Sequence, residues 1–242
     1  MSHVPKGWLS ASLSAICSKI VDGSHNPPKA SEHGLPMLSA RNIKNNQINF
    51  DDFRFISEED FAFEHKRTNV EIGDVLLTIV GTIGRTAVVP DNTKPFALQR
   101  SVAVLKPMLV NPKYVSFALE TPALQKFLQE NSKGTAQKGI YLATLGQVEI
   151  PLAPLNEQTR IVEKLEELLS DLDAGVTELN TAQKKLTQYQ QALLKTAVVG
   201  GLTTVWRAKN ANRATPIESG AQLLDRILTK RRHLCPVAVL NG

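Results

Sequence analysis

The stretch PLAPLNEQTRIVEKLEELL, residues 151–169, changes within a few residues from a proline-interrupted strand pattern to a charged helix pattern. Asn156 follows Pro154 and can cap a helix. No proline occurs from Gln158 to Arg213, so nothing of that kind stops the helix early. We therefore predict a helix of roughly 40 residues, from Asn156 to Thr196, that spans about 60 Å at about 1.5 Å per residue.

Apolar and small residues recur along this helix at alternating steps of four and three, which is the a/d spacing of a coiled coil. Gly175 and Ala182 at d positions leave gaps or allow a partner helix to approach closely. The narrow, long seam favours an exposed coiled coil, although a long amphipathic helix lying on its own domain is the alternative. The seam comprises Ile161, Leu165, Leu168, Leu172, Gly175, Leu179, Ala182, Leu186, Tyr189 and Leu193.

Residues 1–150 alternate short β-branched runs with turn signals, which predicts strands separated by short helices. Ser57 followed by Asp60 resembles a capping box and opens a helix into FAFEHK. Asn111 and Thr121 each precede a proline, so two helices should follow in succession. This part is predicted to be α+β. The strand-like runs are PMLSARNI, VLLTIV, RTAVV, SVAVLK and QVEIPL.

Beyond the long helix, Gly200 and Gly201 provide a stop signal. A second helix is predicted from the capping box at residues 215–218, which has proline at its first helical position. Its apolar face comprises Leu223, Leu224, Ile227 and Leu228. The predicted organisation is a globular domain over residues 1–153, a long coiled-coil helix over 154–200, and a loop, helix and tail over 201–242.

Composition excludes some classes of protein. The 242 residues are 42% hydrophobic and 21% charged, which is ordinary for a globular protein. No run of about 18 apolar residues and no apolar signal-peptide core are present, so we expect a cytoplasmic protein. Cys17 and Cys235 lie far apart without metal-ligand spacing, and both are expected to be free thiols, with no metal and no cofactor.

Charge is unevenly distributed although the net charge is only +5. Residues 51–74 hold eight acidic and three basic side chains, a net charge of −5, whereas residues 94–139 hold seven basic and two acidic ones, a net charge of +5. One part of the globule could therefore face a polyanion while another avoids it.

Two short motifs suggest chemistry and also have plain structural explanations. HNPPK, residues 25–29, is close to the Asn-Pro-Pro-aromatic motif of DNA methyltransferases, but Lys29 replaces the aromatic residue that would stack on a flipped base. GTIGR, residues 81–85, joins two strand patterns and so lacks the helix N-terminus of a phosphate loop. We interpret HNPPK as a stiff loop, and GTIGR as a hairpin turn that could deliver Arg85 to DNA.

Other residues have the groups that DNA contacts require. Gln99 and Arg100 suit adenine and guanine edges, although residues that simply flank a strand are the alternative. The loop NSKGTAQKG, residues 131–139, carries Lys133, Gln137 and Lys138 beside small residues and suits backbone approach to phosphates, although a plain solvated loop remains an alternative. The five histidines are scattered, and no Cys-His or Ser-His-Asp spacing supports an enzyme.

Taken in order, several stretches resemble the specificity subunit of type I restriction–modification systems, over about residues 5–233. They are PKGWLSASLSAICSKIVDGSHNPP, GLPMLSARNIKNNQI, GDVLLTIVGTIGRTAVV and GTAQKGIYLATLGQVEIPLAPLNEQTRIVEKLEELL. The last is the most specific, since that family joins its recognition domain to a spacer helix through Pro-Leu-x-Glu-Gln-x-x-Ile. The matching residues here are Pro154, Leu155, Glu157, Gln158 and Ile161.

The resemblance implies a non-catalytic chain that binds double-stranded DNA and directs methyltransferase subunits, with or without restriction subunits, to a bipartite site. The family pattern has two recognition domains and two spacers, whereas this sequence holds one of each, so the chain is a natural or a truncated half subunit. A coiled-coil scaffold with a protein-binding globular head is the alternative, and a DNA methyltransferase is a third interpretation. The expected DNA-facing residues are Arg85, Gln99, Arg100, Lys133, Gln137 and Lys138, followed by Ser24, His25, Arg41 and Lys44.

The apolar seam also predicts self-association. In a family member with two spacers the second spacer would cover the seam in an antiparallel orientation, and here a second copy of the chain can take that place. We therefore expect a homodimer with identical recognition domains at opposite ends. The residues expected to form the dimer contact are Leu165, Leu168, Leu172, Leu179, Leu186 and Leu193.

Overall fold

A computed structural model describes residues 4–134, 138–211 and 218–234 of the chain. The chain divides into two compact units, Met1–Asp171 and Leu172–Gly242. Strands and short helices form the first unit, whereas the described part of the second unit is helical. The predicted α+β class, with a long helix followed by a shorter C-terminal helix, is confirmed. The division at residues 153 and 200 stays a prediction.

The strands of the described residues are short, and all of them lie in the first unit. Each of the five runs predicted from β-branched content contains a strand. The strands are β1 (Leu9–Ser12), β2 (Cys17–Asp22), β3 (Leu35–Leu38), β4 (Ile43–Lys44), β5 (Gln47–Ile48), β6 (Arg54–Ile56), β7 (Val75–Thr78), β8 (Thr86–Val88), β9 (Ala97–Leu98), β10 (Val102–Pro107) and β11 (Glu149–Leu152).

One long helix and several short ones accompany these strands, together with 3-10 turns at Ala40–Asn42 and Gly201–Thr203. The α-helices are α1 (Leu13–Ile16), α2 (Glu58–Thr68), α3 (Pro112–Leu119), α4 (Pro122–Glu130), α5 (Leu142–Gly146), α6 (Leu155–Val198), α7 (Thr204–Asn210) and α8 (Gly220–Leu234).

The largest sheet is antiparallel and has the strand order β2-β10-β7-β8. Its central strands β7 and β10 are buried on both faces, which explains their continuous apolar sequences. Alternate residues enter two separate cores. Leu77 and Leu105 pack into one core with α3, while Leu76 and Val104 pack into the other with Phe96.

A second sheet has the order β6-β3-β9, with β3 parallel to β9 through Met37 and Ala97. Gln99 N continues this pairing by donating to the Leu38 carbonyl at 2.9 Å. Because β9 leads directly into β10 of the large sheet, the residues 99–101 between them lie where the two sheets meet. Two of the predicted DNA-facing residues, Gln99 and Arg100, occupy this junction.

The start of α6 is fixed to the first unit by buried polar contacts. Strand β11 pairs with β1 and ends just before Pro154. The buried side chain of Gln158 donates to the Ala153 carbonyl at 2.7 Å and accepts from Asn111 N at 2.9 Å. Helix α6 begins at Leu155, so Asn156 lies inside the first turn, and its predicted role as the cap is wrong.

Two of the three capping signals within the first unit are confirmed, whereas Thr121 lies at the N-cap position of α4 without a side-chain capping hydrogen bond. Ser57 Oγ accepts a hydrogen bond from Asp60 N at 3.1 Å and begins α2. Asn111 Oδ1 accepts from Lys113 N at 3.0 Å at the start of α3, and Pro122 opens α4 directly afterwards. Strands β1 and β2 and helix α5 were not predicted.

The C-terminal helix begins later than the sequence pattern suggested. Residues 215–217 of the predicted capping box lie outside the described residues. Helix α8 starts at Gly220, where Ser219 Oγ accepts from Gln222 N at 3.2 Å and Gln222 Oε1 accepts from Ser219 N at 2.8 Å. The capping box is therefore formed by Ser219 and Gln222.

Cys17 provides a test of the packing of the first unit. It lies at the start of β2, is 6% exposed, and is a free thiol; Cys235 lies outside the described residues. Burial, assisted by the negative charge of Asp74, raises the pKa of the Cys17 thiol from the ordinary 9.0 to about 11. The reactive species is the thiolate, and little of it is present near pH 8.

We expect Cys17 in a Cys235→Ser variant to react with iodoacetamide at pH 8 at least about 100-fold more slowly when folded than in guanidinium chloride. The folded-state rate should rise about tenfold per pH unit up to about pH 11, as the thiolate fraction grows. Mass spectrometry of timed samples measures both rates. Equal rates in the folded and unfolded protein would contradict the buried position of Cys17.

Candidate nucleic-acid interface

A surface cleft forms where the end of β2 meets the segment that links β9 to β10. Ser24 N donates to the Leu98 carbonyl at 2.7 Å, and Arg100 N donates to the Ser24 carbonyl at 2.9 Å. Gly23 permits this approach, because a Cβ atom at that position would lie 2.1 Å from the Leu98 carbonyl oxygen. The main chains on which His25 and Arg100 stand are therefore held together.

The first cleft has a volume of about 370 Å³ and brings together half of the predicted DNA-facing residues. The turn Val80–Thr82 and the 3-10 turn at Ala40–Asn42 complete its walls. The predicted residues that line it are Ser24, His25, Arg41, Gln99 and Arg100.

A second cleft of about 540 Å³ adjoins the first and shares His25, Val80 and Arg100 with it. Lys133 lines the second cleft, and its main chain is paired with Gly139. Lys133 N donates to the Gly139 carbonyl at 2.8 Å, and Gly139 N donates to the Lys133 carbonyl at 2.9 Å. His25 and Arg100 therefore stand between two recesses of one surface.

The remaining predicted residues are more scattered. Lys138 is exposed, and its carbonyl accepts from Gly81 N at 3.1 Å, which places it beside the rim of the first cleft. Arg85 is exposed at the end of the confirmed β7–β8 hairpin turn, and Lys44 is exposed in the β4–β5 hairpin. Neither Arg85 nor Lys44 lines the two clefts. Gln137 lies outside the described residues.

Several basic residues of the positively charged segment are paired with acids and contribute little free charge. Lys106 Nζ lies 2.8 Å from Asp74 Oδ2 and 3.0 Å from Glu71 Oε2. Removal from water opposes the charge on Lys106, but its hydrogen bonds to Asp74 and Glu71 outweigh this effect and raise its pKa. Lys113 pairs with Glu166, whereas the Lys126–Glu130 pair is longer, at 3.8 Å, and is exposed and screened by water.

The basic residues at the clefts differ in this respect. Among the described residues, no acidic side chain lies within 4.0 Å of Arg100, Lys133 or Lys138. Arg41 is 3.1 Å from Asp52, but both side chains are more than 70% exposed, so water screens that pair. The clefts thus carry positive charge that an anionic ligand can neutralise.

Two buried acidic residues form hydrogen bonds with side chains that line the clefts. Asp22 is 7% exposed and accepts from Arg67 Nη2 at 2.6 Å, with His25 Nε2 at 2.7 Å from its other oxygen. Ser24 is buried, and its hydroxyl donates to the buried Glu64 at 2.8 Å. The Ser24 hydroxyl is thus engaged within the protein, while His25 remains 55% exposed.

The sequence pattern did not indicate Asp22, Glu64 or Arg67 as part of this surface. Arg67 belongs to the segment with net charge −5, which was expected to avoid a polyanion. One signal was available, because His65, Lys66 and Arg67 form a basic cluster in the last turn of α2. The arginine reaches the cleft only through the fold, which brings the end of α2 beside β2.

The clefts offer hydrogen-bond donors and positive charge. No group of three or more His, Cys, Asp or Glu side chains suited to a metal ion occurs in the described parts of the chain. No helix among residues 4–134, 138–211 and 218–234 is both long and apolar enough to cross a membrane.

A family model described as the type I restriction modification DNA specificity domain matches residues 5–187, more than half of the chain. The chain belongs to this family. It is 29% identical to the specificity subunit of the type I restriction enzyme EcoBI from Escherichia coli, over 94% of this chain and 49% of the relative. The chain spans about half the length of the curated relatives it matches.

Solved structures share the fold of this chain. The HsdS subunit from Thermoanaerobacter tengcongensis aligns with a TM-score of 0.57 and 24% identity, over 81% of this chain and 46% of that one. A chain from a structure concerned with complex assembly and conformational transition of the type I R-M system aligns with a TM-score of 0.63 and 23% identity, over 81% and 47%. These similarities show the shared fold.

Proposed function

We propose that this specificity-family chain is a sequence-specific DNA-binding subunit that directs modification carried out by other chains. The observation that carries the proposal is the pair of adjoining clefts, in which Arg100 and Lys133 present positive charge without an acidic partner among the described residues. Half-buried Gln99 beside Arg100 adds an amide that can both donate to and accept from a base edge. Such a surface suits the combination of phosphate and base contacts.

Catalysis in this proposal belongs to separate methyltransferase subunits, and restriction subunits are optional further partners. The lack of an evident nucleophile, metal cluster or glycine-rich cofactor loop in the sequence patterns supports a non-catalytic role that needs no cofactor. The alternative of a protein-binding scaffold does not explain the basic clefts. Since the target is DNA, we retain the prediction of a cytoplasmic location.

The exposed seam of α6 supports a homodimer. Leu172 is 61% exposed and Leu179 is 72% exposed, and Leu168, Leu186 and Leu193 are exposed as well. Leu165 is half-buried, so the contact would begin beyond it. Full burial of each leucine would stabilise a dimer by roughly 1.5–3 kcal/mol, so pairing of two helices through this seam is favourable.

The charge distribution along α6 supports antiparallel pairing of two copies. Residues 155–173 hold six acidic and two basic side chains, a net charge of −4, whereas residues 174–198 hold one acidic and three basic ones, a net charge of +2. Antiparallel helices place each acidic half opposite a basic half, and parallel helices place like charges together. Two identical recognition domains related by a two-fold axis would bind a symmetric, interrupted DNA site.

The proposal is tested by sequencing methylated positions in cells that carry this chain with its cognate methyltransferase subunit. We expect methylation at a bipartite site whose halves read the same, and none when the chain is omitted. Purified chain alone should transfer no methyl group from S-adenosylmethionine. Robust methyl transfer by the lone chain, or a methylation pattern independent of it, would contradict the proposal.

The loop around Lys133 and Lys138 makes a separate prediction about phosphate contacts. A Lys133→Ala/Lys138→Ala variant should lower the slope of log K against log salt by about 0.9 for each phosphate that the loop no longer binds. Fluorescence anisotropy with a labelled duplex between 50 and 200 mM salt, roughly the range over which such slopes are resolved, measures this. Lys94→Ala/Lys126→Ala removes the same charge away from the clefts. Equal slopes for the wild type and the loop variant would remove this loop from the interface.

A further inference from the structure

Arg67 is held at the second cleft by contacts that fix both the main chain and the side chain. Lys19 Nζ donates to the Arg67 carbonyl at 2.7 Å, which ties the end of α2 to β2. The Arg67 guanidinium donates from Nε to the Asp22 carbonyl at 3.0 Å and from Nη2 to Asp22 Oδ1 at 2.6 Å. The arginine therefore reaches the cleft in one orientation.

Asp22 is the fixed point of this arrangement because it is buried at the end of β2. Its backbone is paired with Ala103 of β10, and its side chain is 10% exposed. One carboxylate oxygen accepts from Arg67, and the other lies 2.7 Å from His25 Nε2. A single acid thus orients two side chains that both line the second cleft.

The Arg67 side chain keeps donors for a ligand. A guanidinium carries five N–H groups, and two of them are engaged with Asp22. The side chain is 47% exposed and shares the cleft with Arg100 and Lys133, which have no acidic partner among the described residues. Three cationic side chains around one recess fit a phosphodiester group, and the planar fork of arginine suits its oxygens.

We propose that Arg67 contacts a DNA phosphate in the second cleft and that Asp22 is the positioning residue that presents it. This inference rests on the proposed DNA-binding function and adds two residues to it. It predicts that neutralising Asp22 changes DNA affinity in the direction opposite to that expected from charge alone. By charge alone, neutralising an acid near bound DNA strengthens binding, whereas loss of the residue that orients Arg67 weakens it.

The first experiment measures binding of a fluorescein-labelled, mixed-sequence DNA duplex by anisotropy as a function of salt. An Arg67→Gln variant should bind about fivefold more weakly near 0.15 M salt, with a slope lower by about 0.9 for each copy bound. Lys66→Gln removes the same charge one residue earlier on α2, outside the clefts. A loss of affinity with an unchanged slope, or an equal effect of both variants, would overturn the phosphate contact.

The second experiment compares Asp22→Asn with Asp91→Asn, which neutralises an exposed acid away from the clefts. We expect Asp22→Asn to weaken DNA binding and Asp91→Asn to leave it equal or stronger. The double variant Asp22→Asn/Arg67→Gln should bind no more weakly than Arg67→Gln alone, because both changes act on the same phosphate contact. Tighter binding by Asp22→Asn would overturn its positioning role.

Circular dichroism and thermal unfolding of each variant separate a folding defect from a binding defect. Should Asp22→Asn fail to fold, the slope of the Arg67→Gln variant still decides the phosphate contact, and Arg67→Lys, which keeps the charge and loses the fork, should bind more weakly than wild type. Wild-type protein that binds no DNA would refute the proposed function itself. Wild-type binding with unaffected Arg67→Gln would refute this inference alone.

Discussion

Replacing both Leu172 and Leu179 with lysine is expected to convert the proposed dimer into monomers and to abolish tight DNA binding. The two leucines occupy the exposed seam of α6, one turn or more beyond the part of the helix that packs on the first unit. A dimer would bury four of them, worth about 6–12 kcal/mol in total. Lysine also places positive charges in the helix–helix contact, and burying a charge without an acidic partner costs free energy.

Light scattering measures the outcome at micromolar protein. The wild type should give twice the chain mass of 26.5 kDa and the variant a single chain mass. Leu194→Lys/Val198→Lys is the matched control, since both residues are exposed on α6 outside the a/d seam and their replacement should leave the dimer intact. Circular dichroism should show that the first unit stays folded in both variants.

A monomer mass for the wild type would contradict self-pairing. The seam would then need a different partner, and the symmetric target would lose its basis. Dissociation of both lysine variants alike would mean that the added charge, and not the seam, controls association. Loss of tight DNA binding without dissociation would point to a direct DNA contact by α6.

The long helix was predictable because its signals are local. Strand β11 includes Pro151 and ends at Leu152, Pro154 directly precedes α6, and no proline then interrupts the helix before the glycines at 200 and 201. Helix starts at Ser57 and Asn111 were predictable for the same reason, since a cap acts on residues two or three positions away, and proline at the first helical position marked the start of α4. Asn156 shows the limit of such signals, because α6 already begins at Leu155 and the side chain that bonds to the first unit at this end is that of Gln158.

The unpredicted parts depend on contacts between distant residues. Strand β1 pairs with β11, about 140 residues later in the chain, and its sequence LSAS has little β-branched content. The cleft requires Ser24 to pair with Gln99, which no local pattern encodes. Arg67 was assigned to an acidic region because a sum over sequence cannot show that Glu64 is buried and that Glu71 and Asp74 pair with Lys106.

The second large effect is expected from Gln99→Ala/Arg100→Ala, because these adjacent residues occupy the junction of both sheets. Arg100 lines both clefts, and backbone hydrogen bonds from Arg100 N to Ser24 and from Gln99 N to Leu38 hold the pair in place. A main chain fixed in this way presents both side chains from a defined position. Removing each side chain that reads a base should cost about 1–3 kcal/mol of binding free energy on the cognate site.

The pattern of weakened binding distinguishes base reading from phosphate binding. If Arg100 reads a guanine, Arg100→Ala weakens cognate DNA more than mixed-sequence DNA and relaxes specificity at one position of each half-site. Compared with Arg100→Ala, Arg100→Lys should recover more of the affinity for mixed-sequence DNA than of the preference for the cognate site. Lysine keeps the charge but lacks the planar fork that contacts two guanine atoms. Lys133→Ala serves as the comparison, because removal of a phosphate contact weakens all sequences alike. Equal weakening of cognate and mixed-sequence duplexes by Arg100→Ala would make Arg100 a phosphate contact and leave Gln99 as the base reader of the junction.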